Sequence, residues 1–302
     1  MDYDIADGLN PIGLSKGPLS IDLSKEPLVP STDQSVFNRL VDLINNEGTI
    51  ADIESLVLLH PHIARTRTKL GHRTLLHVVC TYARRYGSQR SADIATVFIQ
   101  AGCNVDACDT NSYTPLMRAI CKPKIAIELF AVLMASSPDV NLKNKDGLTA
   151  LHLHYYSQGC DYRIVQPIFD AGFSINNKTT RGATILMMLV NRHNMSDPSV
   201  KPHIRTMLDR NISVNAQDAR GDAALHSRLL LPNSHLVKLL IKAGANVNIC
   251  NNSDETPIML CYSNYPKYRK TIRLLKRAGA TDKPGYLTKH NTGIDADMCA
   301  VM

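Results

Sequence analysis

Three histidines, His77, His152 and His226, recur at separations of 75 and 74 residues. Imidazoles in register could ligate zinc, but a zinc site needs ligands converging within about 2 Å of one ion. Residues that far apart on a periodic chain stand on different layers and do not converge. His152 and His154 are two residues apart, so on a helix they face different ways. Cys80, Cys103 and Cys108 lie close enough in sequence to be weighed as thiolate ligands. A tetrahedral site would still need a fourth ligand in tight geometry, and no metal is expected. The chain has no G-x-S-x-G, no Gly-rich phosphate loop and no kinase signature. The expectation is a non-enzyme, with no catalytic residue, no cofactor and no small-molecule substrate.

One cysteine reads differently. The chain closes on Cys299-Ala300-Val301-Met302, a cysteine followed by two small aliphatic residues and Met. That is the C-a-a-X pattern of prenylation, and a terminal Met directs farnesylation. The motif implies removal of Ala300 to Met302 and carboxyl methylation of Cys299. Asp295 and Asp297 place negative charge just before the cysteine and oppose docking on an anionic membrane. The remaining thiols among the eight cysteines are scattered without a C-x-x-C pair. They are expected to be reduced and mostly buried.

Composition sets the scaffold. Apolar residues make up 44%, charged residues 20% and aromatics 5%, and Trp is absent. A core poor in large rings must be built from Leu, Ile, Val, Ala and Met, which suits helix stacks better than β-sandwiches. No apolar run approaches bilayer length. The acidic start MDYDIADGLNP lacks the apolar core of a signal peptide, and Asp2 excludes N-myristoylation. The expected location is the cytoplasm, on cytosolic membrane faces if Cys299 is prenylated.

The elements come from a repeat. LGHRTLLHVVC (70–80), NSYTPLMRAIC (111–121), DGLTALHLHYY (146–156) and RGDAALHSRLL (220–230) align, with weaker copies at 181–191 and 253–263. The turn residue of each copy falls at Gly71, Ser112, Gly147, Gly182, Gly221 and Asp254, at intervals of 41, 35, 35, 39 and 33. A second motif follows each copy, as in IQAGCNVDA (99–107) and IKAGANVNI (241–249), with KRAGAT (276–281) a truncated last one. A hydroxyl before Pro-Leu is an N-cap followed by a residue preset for the first helical turn. Ala-Gly ends a second helix in a left-handed cap. The stretch after it, rich in Asn, Asp and Gly, is a turn. Each unit is therefore a helix, a turn, a second helix and a hairpin-like finger, and only stacking buries its apolar face.

These residues resemble the ankyrin-repeat family. The likeness lies in Thr114-Pro115-Leu116, Thr149-Ala150-Leu151-His152, Ala224-Leu225-His226, Ala243-Gly244-Ala245-Asn246-Val247-Asn248 and Thr256-Pro257. It implies an all-α solenoid of about six repeats, and it implies that the recurring histidines bond backbone in neighbouring loops. The expected organisation is a flexible arm over 1–33, a degenerate capping repeat over 34–68, repeats over 69–280 and a tail over 281–302. The segments TYARRYGSQRS (81–91) and NRHNMSDPSVKPH (191–203) read as insertions between paired helices. The unit with Ile185 and Arg210-Asn211 is the least regular.

Function then rests on surface. The resemblance implies a protein partner held on the concave side, by finger tips and exposed positions of the first helices. The candidate tip residues are Asp109, Asn111, Lys143, Lys145, Asp146, Arg181, Asp218, Arg220, Asn251 and Asp254. The basic group Lys267, Arg269, Lys270, Arg273, Lys276 and Arg277 could meet an anionic membrane, where each charge contributes about 1 kcal/mol. It equally suits a solvated face on the last repeat. Nucleic acid is disfavoured, since interleaved aromatics are lacking apart from Tyr265 and Tyr268. Three functions are open: a prenylated scaffold or adaptor, a ubiquitin-ligase adaptor or pathogen effector in a eukaryotic host, and a soluble regulator of a transcription factor or enzyme.

Overall fold

The computed structural model describes residues 31–45, 48–68, 71–121, 125–157, 161–191, 200–227, 233–262 and 268–281. Its described residues hold thirteen α-helices, two short 3-10 helices and no named strand. Helices α1 (Ser31–Asn45) and α2 (Ile50–Leu59) form the first pair. The later pairs are α3 (Leu75–Tyr86) with α4 (Ser88–Gln100), α5 (Pro115–Ile120) with α6 (Ile127–Ala135), and α7 (Ala150–Ser157) with α8 (Tyr162–Asp170). Next come α9 (Ile185–Val190) with α10 (Val200–Asp209), a single turn at Ala224–His226 with α11 (Ser234–Lys242), and α12 (Pro257–Tyr262) with α13 (Arg269–Arg277).

The pairs stack in two layers. First helices pack in the order α1, α3, α5, α7, α9, the Ala224–His226 turn and α12. Second helices form the other layer, with α2 on α4, α4 on α6, α6 on α8, and α11 on α13. One continuous apolar core runs between the layers from Phe37 to Leu275. The first pair stacks on α3 and α4, the place of a capping repeat, and α1 starts at Ser31, just inside the expected arm.

Caps explain where the helices begin and end. Thr114 and Thr184 open α5 and α9 by accepting from the backbone N–H of Met117 (3.2 Å) and Met187 (3.4 Å). Such a cap stabilises by about 1 kcal/mol. The second helices end on left-handed residues in strict register: Gly102, Ser137, Gly172, Asn211, Gly244 and Gly279, with φ between 53° and 87°. In all six the cap's own N–H returns to a carbonyl of the last turn, and in four the next residue's N–H does so too, as in Ala245 to Leu240 (3.0 Å) and Ile212 to Met207 (3.3 Å). The irregular unit thus keeps its geometry, because Asn211 takes the left-handed cap that Gly takes in four of the other five units.

Two expectations change in detail. The segment 81–91 is not a loop: it lengthens α3 and α4, which join at Gly87 with φ 79°. The first helix of the unit starting at Arg220 is only one 3-10 turn among the described residues. Of 191–203, residues 192–199 lie outside the described residues, while Val200 to His203 begin α10.

Candidate functional site

The fingers are built by one residue each. The Asp109 Oδ1 accepts from the N–H of Asn111 and Tyr113, both at 2.9 Å. Asn144 repeats this with Asp146 (3.0 Å) and Leu148 (2.8 Å), and Asp218 with Arg220 (2.8 Å) and Asp222 (3.0 Å). Asn251 does the same with Ser253 and Glu255, both at 3.0 Å. These side chains stand in for backbone acceptors and fix the loop. The sequence-predicted turn residues Gly71, Ser112, Gly147, Gly182, Gly221 and Asp254 all have positive φ, from 58° to 85°.

Neighbouring fingers are zipped at one register. The N–H of Thr110, Lys145, Thr180, Ala219 and Asn252 donates to the carbonyl of Gly71, Asn111, Asp146, Arg181 and Arg220 respectively, at 2.8–3.2 Å. A parallel column of amides ties the bases of the fingers. Asn141 Oδ1 accepts from Ser174 N–H (2.7 Å) and its Nδ2 donates to the Gly172 carbonyl (3.0 Å). Asn215 repeats this with Asn246 and Gly244, and Asn248 with Thr281 and Gly279. Asn176 accepts from Ser213 at 2.7 Å. The Val-Asn motif is plain in the sequence, but the job of the Asn shows only when two repeats are stacked.

The candidate tip residues divide by what holds them. Asn111, Lys145, Arg181 and Asp254 are exposed on the row of tips. Lys143 and Arg220 are exposed too, with the Lys143 ammonium donating to the Lys178 carbonyl (3.0 Å) and Arg220 facing Asp222 (3.4 Å) and Asp218 (3.7 Å). Asp146 is half-buried, as are the turn anchors Asp218 and Asn251. Asp109 is a correction. It is 6% exposed and paired with the Arg118 guanidinium, whose Nε donates to Oδ2 at 3.0 Å. Arg118 also lies over the Tyr113 ring, 4.4 Å from its centre. A charge from the first helix fills the base of this finger, so the Asp109 carboxylate faces inward. The first helices also offer less surface than expected: every residue of α5 and α12, and residues 150–155 of α7, are buried.

The recurring histidines take the structural role. His77 Nδ1 accepts from Thr74 N–H (3.2 Å), which leaves Nε2–H to donate to the Tyr113 carbonyl (2.8 Å) of the next finger. His226 repeats this with Ala223 N–H (3.0 Å) and the Glu255 carbonyl (3.1 Å). His152 makes the cap contact with Thr149 Oγ1 (2.7 Å), while its Nε2 is buried without a partner in hydrogen-bond geometry. Burial pushes the His77 and His152 rings down to about 4. Burial likewise pushes the thiols of Cys103 and Cys261 up to about 12, and Cys80 further up. Among the described residues no group of three or more His, Cys, Asp or Glu side chains could hold a metal.

A buried polar cluster went unread in the sequence. His203 is fully buried, its Nδ1 2.9 Å from the Tyr155 hydroxyl, and Tyr162 stacks on it at 4.2 Å. It joins α7, α8 and α10. On the remaining basic candidates, Arg269, Lys270, Arg273 and Arg277 are exposed on α13 and Lys276 is half-buried. Lys267 and Cys299 lie outside the described residues. No helix among the described residues is long and apolar enough to cross a membrane.

Paired helices, left-handed caps and zipped fingers define an ankyrin-repeat solenoid. Residues 220–252 match the family model for the ankyrin repeat. The fold is similar to the ankyrin repeat domain of Bcl-3, with a TM-score of 0.58 and 22% identity, covering 80% of this chain and 97% of that one. It is also similar to a chain in the complex of the Bdellovibrio bacteriovorus predatory endopeptidase Bd0816 with the immunity protein Bd3460. There the TM-score is 0.54 and the identity 19%, over 70% of this chain and 99% of that one. In sequence the chain is 28% identical to an intracellular phospholipase A2 of Caenorhabditis elegans, over 64% of this chain and 18% of that protein. It is 29% identical to the mouse B-cell lymphoma 3 protein homolog, over 64% of this chain and 42% of that protein. The chain thus spans less than half the length of either relative.

Proposed function

We propose that this chain is a protein-interaction scaffold that binds a protein partner along its row of finger tips, without catalysis of its own. The observation that carries this is the division between zipped finger backbones and the outward side chains of Asn111, Lys145, Arg181 and Asp254. The backbone bonds hold the tips at a fixed pitch, so little ordering cost falls on binding. Mixed charge on the tips suits a polar partner surface. We further propose a farnesyl group on Cys299 that holds the scaffold at cytosolic membrane faces, on the strength of the Cys-Ala-Val-Met pattern.

Proximity labelling in eukaryotic cells tests the first proposal, comparing the wild type with Lys145→Glu/Arg181→Glu. Loss of a common set of labelled proteins supports binding at the tips; an unchanged set removes it. Intact mass of the purified protein beside Cys299→Ser tests the second. A farnesyl mass gained with Ala-Val-Met lost supports the tether, and an unmodified mass ends it. A second reading, a soluble regulator without a lipid, is favoured by the likeness to the B-cell lymphoma 3 protein homolog and to the Bcl-3 repeat domain.

A further inference from the structure

The second helices of the last three units carry a charge pattern absent from the earlier ones. α10, α11 and α13 hold Lys201, Arg205, Lys238, Lys242 and the five cations of α13 against one carboxylate, Asp209. In contrast α2, α4, α6 and α8 hold Asp52, Glu54, Asp93, Glu128 and Asp170 against Arg90 and Arg163. The charge of this layer therefore changes sign along the stack.

The cations are also in register. Counting back from the left-handed caps Asn211, Gly244 and Gly279, the sixth residue is Arg205, Lys238 and Arg273, and all three are exposed. The same position in the three preceding units is Thr96, Ala131 and Gln166, uncharged throughout. One turn further on, Lys242 and Arg277 extend the column on two of the helices. On α13, at 100° per residue, Arg269, Lys270, Arg273, Lys276 and Arg277 fall within about 120° of arc. Thr271, Ile272 and Leu275 face the core instead. No described carboxylate makes an ion pair with Arg205, Lys238 or Arg273.

We propose that this face of α10, α11 and α13 docks on an anionic lipid surface. The array spreads in two dimensions, with helices on the order of 10 Å apart and cations about 6 Å apart along each helix. That matches a plane of dispersed negative headgroups better than a single extended peptide in a groove. None of the large exposed aromatic side chains among the described residues, Tyr156 and Tyr162, stands on these three helices. The stacking platform that single-stranded nucleic acid needs is therefore missing there. Orientation follows: with the second helices toward the lipid, the finger row projects to the side and stays open to a protein. The inference extends the membrane-tether reading to residues of three repeats, and it is tested apart from the lipid on Cys299.

The full chain purified from bacteria carries no prenyl group, so it isolates the cationic face. Sedimentation with vesicles of 70% phosphatidylcholine and 30% phosphatidylserine is compared with pure phosphatidylcholine. Each cation near such a surface is worth about a fivefold change in partition. Arg205→Gln/Lys238→Gln/Arg273→Gln is expected to weaken binding on the order of a hundredfold, and raised salt to weaken the wild type. Arg39→Gln/Arg65→Gln/Arg163→Gln removes the same net charge from outside α10, α11 and α13 and is expected to bind like the wild type. Circular dichroism melting confirms that both variants are folded. Equal binding to both vesicle types, or equal loss in both variants, overturns the proposal. So does tighter binding to a 20-base-pair DNA duplex that depends on Arg205, Lys238 and Arg273, which would assign the face to nucleic acid. None of these outcomes depends on whether Cys299 is prenylated in cells.

Discussion

Asp109→Asn and Asp218→Asn are the same chemical change at the same finger position, and they should differ several-fold in cost. In both, the new Oδ1 can still accept from the two loop N–H groups, as Asn144 and Asn251 do in the wild type. What differs is the charge partner. Asp218 faces Arg220, whose side chain is 77% exposed and 3.7 Å away. Exposed pairs of that kind contribute roughly 0–1 kcal/mol. Asp109 faces Arg118, and the two side chains are 1% and 7% exposed. Removing one partner of a buried pair leaves the other charge uncompensated and costs about 3–5 kcal/mol. Asp109→Asn should therefore lower stability by about 3 kcal/mol or more, and Asp218→Asn by less than about 1 kcal/mol. Urea unfolding followed by circular dichroism at 222 nm reads both. The double variant Asp109→Asn/Arg118→Met should recover much of the loss, because the stranded charge is gone. Equal small losses from the two single variants would refute the assignment of Asp109 to the interior.

Three further outcomes follow from the same geometry. Gly147 has φ 72°, and a Cβ there would stand 2.5 Å from the Thr180 nitrogen, whereas at Gly102, φ 86°, it would meet nothing within 4 Å. Both Ala variants bear the left-handed strain of about 1–2 kcal/mol, but Gly147→Ala should lose about 1 kcal/mol more with the Thr180–Asp146 bond, as urea midpoints will show. His77 and His152 are held neutral, with pKa near 4 against an ordinary value of 6.5. Their contribution is therefore whole above pH about 6.5 and is lost as pH falls toward about 4. Each ring approaches a slope of about 1.4 kcal/mol per pH unit, and His77→Gln should flatten the profile measured by thermal melts. Asn248→Ala removes the bonds to the Gly279 carbonyl (2.9 Å) and from Thr281 N–H (2.8 Å). Hydrogen exchange should then quicken in α13 before it does in α7.

What could be read from the sequence was the local chemistry. A left-handed turn or cap needs Gly, Asn, Asp or Ser on the spot, so all six turn residues from Gly71 to Asp254 were visible, and the Ala-Gly caps with them. The all-α stack followed from their period. Burial was not visible where it depends on a neighbouring repeat. Asp109 looks like any polar finger residue until Arg118 from the first helix is seen against it. His203 sits in a polar stretch and gains its place only by packing on Tyr155 and Tyr162. The cation column was hidden for a related reason. Arg205, Lys238 and Arg273 are 33 and 35 residues apart, and they align only when each is counted from its own cap.

The finger row, with its zipped backbone, is proposed as the binding surface. Hydrogen exchange on the chain alone and with a partner recovered by labelling tests it most directly. New protection is expected in the segments 109–113, 144–148, 179–183, 218–222 and 251–255, with the second helices unchanged. Protection confined to α4, α6 and α8, with the five finger segments exchanging as in the free chain, would contradict it.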